Sequence, residues 1–120
     1  MRTGIIVFGH GSSIASANDA VRAVAAVAAR AGHWDLYETA FLEADPRLDR
    51  AVFRLVQAGA DEVLVLPYFL TLGIHLQRDL PKLVEELTRA HGVPICIAPP
   101  LDGHAGLGRI LVERASEMLP

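Results

Sequence analysis

The chain has 120 residues, 52% hydrophobic and 21% charged, with 11 basic against 14 acidic side chains and a net charge of −3. That balance excludes a disordered segment, offers no basic stripe for nucleic acid, and leaves no apolar run near the roughly 20 residues a membrane span requires. A single cysteine, Cys96, excludes an internal disulfide and an all-thiolate zinc site. The length suits a single domain over residues 1–120. The few residues before His10 carry no secretory pattern, so a cytoplasmic protein is expected. Its high surface-to-volume ratio favours association with a second copy.

In chain order, Thr3–Phe8 is a nearly all-apolar run rich in β-branched residues, of the kind buried on both faces of a parallel sheet. Gly9-His10-Gly11-Ser12-Ser13 breaks it. Ala15–Ala31 follows as an alanine-rich helix with Val21, Val24 and Val27 at helical spacing, stopped by Gly32. Trp34–Leu42 reads as a second strand. Pro46 opens a helix through Ala58 that carries Leu48, Val52, Leu55 and Val56 on one side, and Gly59 ends it. Glu62–Leu66 is the clearest strand, terminated by Pro67. Leu70–Arg78 reads as a loop around Gly73, and Asp79–Ala90 as the third helix, with Asp79 its cap just before Pro81. Val93–Ala98 is the fourth strand, closed by Pro99-Pro100, and Gly103–Leu119 is the last helix. This alternation predicts an α/β fold: one four-stranded parallel sheet with helices on both faces, in the flavodoxin-like order 2-1-3-4.

In open parallel sheets, ligands bind beyond the carboxyl ends of the strands. Applied here, that rule gathers His10 after strand one, Glu43 after strand two, His75 after strand three, and Asp102 and His104 after strand four. His33 and His91 fall at helix C-termini on the opposite edge, where a histidine complements the helix dipole. His10 between two glycines is either a turn histidine bonded to backbone or a freely presented imidazole. The same turn could cradle a phosphate, but it lacks the lysine and spacing of a P-loop. Tyr68, Phe69, Leu70 and Leu72 serve either as core under a long connection or as an apolar wall beside an imidazole. Glu43 is either a surface acid or the oxygen ligand of a site with two imidazole nitrogens. Cys96, mid-strand, is expected as a small core hydrophobe.

Gly9-His10-Gly11-Ser12, Phe41-Leu42-Glu43 with Pro46, and Pro67-Tyr68-Phe69-Leu70 leading to Gly73-Ile74-His75 and Asp79-Leu80-Pro81 form an ordered series. The series resembles the class II tetrapyrrole chelatases, specifically the short CbiX-type sirohydrochlorin chelatases, over nearly the whole chain. The resemblance implies insertion of a divalent metal, cobalt or iron, into sirohydrochlorin on the way to cobalamin or siroheme. It implies that His10 is proton acceptor and metal ligand, that His75 is the second metal ligand, and that Glu43 joins them in catalysis. It implies that Leu70, Thr71, Leu72, Gly73, Ile74 and His75, with Phe69, contact the macrocycle, and that the short form works as a homodimer. No permanently bound cofactor is expected; Co²⁺, Fe²⁺ or Ni²⁺ is a substrate. Sirohydrochlorin carries many carboxylates, for which Ser12, Ser13, Arg47 and helix N-termini are candidate donors. Two imidazoles and a carboxylate hold a metal loosely enough to give it up, which suits transfer rather than storage. The alternative is a non-enzymatic metal or tetrapyrrole carrier using the same histidines. A flavodoxin-like regulatory module binding a small anion at Ser12 and Ser13 is a third class.

Overall fold

A computed structural model describes residues 2–120. The elements run β1 (Thr3–Gly9), α1 (Ala15–Gly32), β2 (Leu36–Phe41), α2 (Leu48–Gln57), β3 (Glu62–Pro67), α3 (Ile74–His91), β4 (Ile95–Ile97) and α4 (Gly106–Met118). The four strands form one parallel sheet in the order β2-β1-β3-β4, as the crossover rule predicted. β1 is central and buried from Gly4 to Gly9, which explains its unbroken apolar sequence.

The main core lies between the sheet and the α2/α3 layer. Ile6 and Phe8 of β1 and Val63 and Val65 of β3 pack there with Leu48, Val52 and Leu55 of α2 and Leu80, Val84 and Leu87 of α3. The opposite face is covered differently. α1 packs on β1 and β2 through a stripe of Asn18, Ala25 and Ala29, small side chains that bring the helix close to the sheet. Val24 and Val27, which the sequence pattern noted with Val21 at helical spacing, are exposed at 44% and 59%. α4 has no buried residue and packs closely on no other element. Leu64 and Leu66 are consequently only half-buried on this face, and Cys96 is exposed rather than a core residue.

Several boundaries differ from the sequence pattern for local reasons. α3 begins at Ile74, one turn before the expected Asp79. Gly73 is its N-cap, the Gln77 side-chain amide donates to the Leu72 carbonyl at 2.8 Å, and Leu76 packs against the core in phase with Leu80. Asp79 is therefore not a cap, and Pro81 lies inside the helix. α1 runs through Gly32, and the left-handed residue is His33 at φ 55°. The Trp34 amide closes the helix end on the Ala29 carbonyl at 2.9 Å, so Trp34 belongs to the cap and β2 starts at Leu36. Pro46 stands outside α2, whose N-cap is Arg47; its carbonyl accepts the Phe41 amide at 2.9 Å.

Candidate functional site

The ends of β1, β2 and β3 are held together past the strands themselves. The Leu42 amide donates to the Gly9 carbonyl at 3.0 Å, Glu43 to His10 at 2.8 Å, and Tyr68 to Phe8 at 2.7 Å. These bonds bring Glu43 beside His10. The His10 Nε2 stands 3.7 Å from Glu43 Oε2, with both side chains about two-thirds exposed (60% and 65%). The gap is too long for a direct hydrogen bond, and a single cation with bonds near 2.1 Å could bridge it.

The state of the His10 ring follows from its other nitrogen. Nδ1 faces the Gly11 carbonyl oxygen at 3.1 Å. A carbonyl only accepts, so Nδ1 is the donor of this bond, and in the neutral ring Nε2 then keeps its lone pair. The turn behind it is fixed by a residue that the sequence pattern did not single out. Buried Asn18 accepts the Ser12 amide at 2.9 Å and donates to the Ser12 carbonyl at 2.8 Å. Ser12 Oγ accepts the Ile14 amide at 3.0 Å and so satisfies one orphan donor at the start of α1. An Asn four residues into an alanine-rich helix, close behind a glycine turn, was the available signal.

Phe69 forms the adjoining wall. Its ring meets His10 edge-on, with centroids 6.5 Å apart at 76°, and packs on Phe8 at 5.9 Å. Tyr68, Phe69 and Leu70 line a cavity of about 660 Å³ shared with Val24, Leu101 and Ile110. His104 lines the same cavity, and its Nδ1 accepts the Gly106 amide at 2.8 Å. Leu70 and Ile74 are large apolar side chains exposed at 66% and 81%.

His75 lies in the first turn of α3 and is exposed. Its Nδ1 is 3.2 Å from the Arg78 Nη2, and Arg78 Nε donates to Asp79 Oδ1 at 3.0 Å. That bond, aided by the nearby charges of Arg78 and Lys82, holds the Asp79 carboxyl below the usual carboxylate range against the opposing effect of desolvation. His75 does not join His10 and Glu43: among the described residues no three His, Cys, Asp or Glu side chains come together as a ligand set. Thr71 and Gly73 are exposed and Leu72 is half-buried in the segment leading to His75. Ser13 is exposed. Arg47 lies 3.9 Å from Asp45 and lines a separate hollow with Asp49, Arg50 and Arg54 at the start of α2. His91, expected only to complement a helix end, bonds Asp49 of α2 at 2.9 Å.

A parallel four-stranded sheet thus presents an imidazole after β1, a carboxylate after β2 and an aromatic wall after β3. The CbiX family model matches residues 4–118, and the chain belongs to that family. It is 33% identical over 117 residues to the sirohydrochlorin cobaltochelatase of Sulfurisphaera tokodaii, covering 97% of this chain and 93% of that protein. The enzyme of the same name from Sulfolobus acidocaldarius is 32% identical over 117 residues, covering 97% and 92%. The crystal structure of a CbiX protein from Marinobacter aquaeolei VT8 superposes with a TM-score of 0.85 at 32% identity, covering 97% of this chain and 96% of that one. The cobalt complex of the sirohydrochlorin chelatase SirB from Bacillus subtilis subspecies spizizenii shares the fold, with a TM-score of 0.88 at 21% identity. There the match covers 98% of this chain and 51% of SirB, so the fold seen here corresponds to half of that longer chain.

Proposed function

We propose that this chain inserts a divalent metal ion into sirohydrochlorin, with cobalt the first expectation and iron the second. The observation that carries this reading is the state of His10. Its Nε2 lone pair is open, faces the Glu43 carboxylate, and borders the apolar wall of Phe69. The names of the relatives from Sulfurisphaera tokodaii and Sulfolobus acidocaldarius support the same substrate and metal. Cobalt would send the product toward cobalamin, iron toward siroheme.

Metallation breaks two pyrrole N–H bonds, each leaving its electron pair on nitrogen for the incoming cation. Once the cation has passed from His10 Nε2 to the macrocycle, the freed lone pair accepts such a proton, and Glu43 stabilises the imidazolium that results. The exposed edge of the ring then releases the proton to solvent before the second is taken. Phe69, Leu70 and Ile74 offer apolar contact to the macrocycle. His75 serves as the second metal ligand. Arg47, Ser12 and Ser13 are the donors assigned to its carboxylates; Arg47 reaches that role only by turning from Asp45. Purified protein mixed anaerobically with sirohydrochlorin and Co²⁺, Fe²⁺ or Ni²⁺ in parallel should accelerate the absorbance change of metallation. Binding without acceleration refutes the enzyme and leaves a carrier.

The active form proposed is a homodimer. α4 exposes Ile110, Leu111 and Val112 at 51%, 70% and 65%, and α1 exposes Val24 and Val27 beside the half-covered sheet face. An amphipathic helix draws most of its stability from packing, which this chain does not supply. A second copy would stand where SirB has the other half of its chain. Leu111→Glu should shift the protein toward monomer by light scattering at micromolar concentration; a wild-type monomer with full activity refutes the dimer. The cytoplasm is the proposed compartment, since an exposed free thiol at Cys96 suits reducing surroundings.

A further inference from the structure

The two imidazoles assigned to the metal are in opposite states. At His10 the neighbour of Nδ1 is an acceptor, which favours the proton on Nδ1 and in the neutral ring leaves Nε2 ready to ligate. At His75 the neighbour of Nδ1 is a guanidinium, which only donates. His75 Nδ1 must therefore accept, so its lone pair is occupied. In the neutral ring the proton is then on Nε2. Neither nitrogen of His75 can ligate a cation while Arg78 holds this contact. The guanidinium also places a positive charge beside the approach of a dication.

We propose that Arg78 is a positioning residue which keeps His75 out of its metal-binding state in the empty site, and that a substrate carboxylate draws the guanidinium away and frees the ring. This rests on the reading of His75 as a metal ligand. Three observations support the exchange. Arg78 and Asp79 are both 58% exposed, so the guanidinium can turn without disturbing the core. Its Nε is anchored on Asp79, which leaves the Nη2 edge to change partner. A carboxylate accepts a guanidinium fork through two charge-assisted bonds, whereas the imidazole offers one lone pair. Ile74, exposed at 81% beside His75, gives a macrocycle an apolar seat from which an acidic side chain could reach Arg78. Tetrapyrrole binding then precedes capture of the metal by His75, and the empty site holds the cation only weakly.

The test begins with Co²⁺ titrated calorimetrically into tetrapyrrole-free protein under anaerobic conditions. Arg78→Ala should tighten Co²⁺ binding by roughly five- to tenfold, in the range of ordinary coupling between sites, and should raise the KM for sirohydrochlorin. Arg78→Lys, which keeps a donor-only cation, should restore weak Co²⁺ binding. Nitrogen-15 correlation spectra of metal-free protein should show His75 protonated on Nε2 in the wild type and a mixture of tautomers in Arg78→Ala. In the Arg78→Ala/His75→Ala double variant the tightening should vanish. Unchanged or weaker Co²⁺ binding in Arg78→Ala, or tightening that survives in the double variant, overturns the proposal. A failure of the ligand assignment looks different: His75→Ala alone would then leave the cobalt KM of turnover unchanged.

Discussion

Gly11 is where the turn that presents His10 comes closest to the rest of the protein. Its φ is +86°, and a Cβ added there would lie 2.9 Å from Phe41 Cβ and 3.0 Å from both Cβ and the amide nitrogen of Ala44. Those neighbours are backbone or backbone-linked atoms, so they cannot swing aside. An alanine in the left-handed region costs about 1–2 kcal/mol, and overpacking typically costs about 1–3 kcal/mol more. Gly11→Ala should therefore destabilise by about 2–5 kcal/mol. For 120 residues at about 2.1 cal/mol/K each, the entropy of unfolding is about 0.25 kcal/mol/K, which converts the loss into a Tm lower by about 8–20 °C. Gly108→Ala is the control: it lies within α4 with nothing within 4 Å of the added Cβ, and helix propensity should raise stability by about 0.5–1 kcal/mol. Calorimetry or thermal circular dichroism reads both. A Gly11→Ala Tm within about 2 °C of wild type would refute the close approach on which the placement of His10 depends.

Two further perturbations address the chemistry and its support. His10→Ala removes the proposed proton acceptor and should lower the metallation rate by on the order of 10²–10⁴, while sirohydrochlorin binding, read by fluorescence or absorbance titration, persists; Glu43→Gln, which keeps shape and one acceptor oxygen, should be milder. Asn18→Ala strips both partners from the Ser12 backbone and should cost about 1–3 kcal/mol in chemical denaturation, with a loss of metallation rate in the folded protein because the His10 turn loosens.

Strand order, and with it the placement of His10 and Glu43 just past the ends of β1 and β2, was legible in the sequence because it follows from chirality and topology. β1 was legible because a central parallel strand must be apolar on both faces. The start of α3 was obscured by Pro81, which reads as a first-turn residue, while Leu76 already continued the spacing of Leu80, Val84 and Leu87 toward the N-terminus. The inner face of α1 was not legible from the valine spacing, since Val24 and Val27 outweigh Ala25 and Ala29 in hydrophobicity yet lie outside. Close helix-to-sheet packing selects the smaller side chains instead. The position of Glu43 beside His10 rests on main-chain bonds beyond the strand ends, and no side-chain pattern encodes those. The tautomers of His10 and His75 likewise depend on a carbonyl and a guanidinium that folding brings to each ring.

The two faces of the sheet divide the free energy of this protein between folding and assembly. The α2/α3 face gathers Phe8, Leu48, Val52, Val65 and Leu80 at 2% exposure or less, so its packing is complete within one chain. Truncations there change stability whatever the protein concentration. The other face has only α1 with its alanines, a sheet half left open, and α4 standing away from the body in a molecule 55 Å long. Apolar surface of that kind contributes only when something covers it. If a second copy does so, stability conferred by α4 must rise with protein concentration, because association adds to folding by mass action. The Phe69–Leu70 cavity opens on this same side, with Ile110 of α4 and Val24 of α1 in its wall. Assembly and the apolar seat next to His10 therefore share residues, and a change in α4 that leaves the core intact should still reach the site.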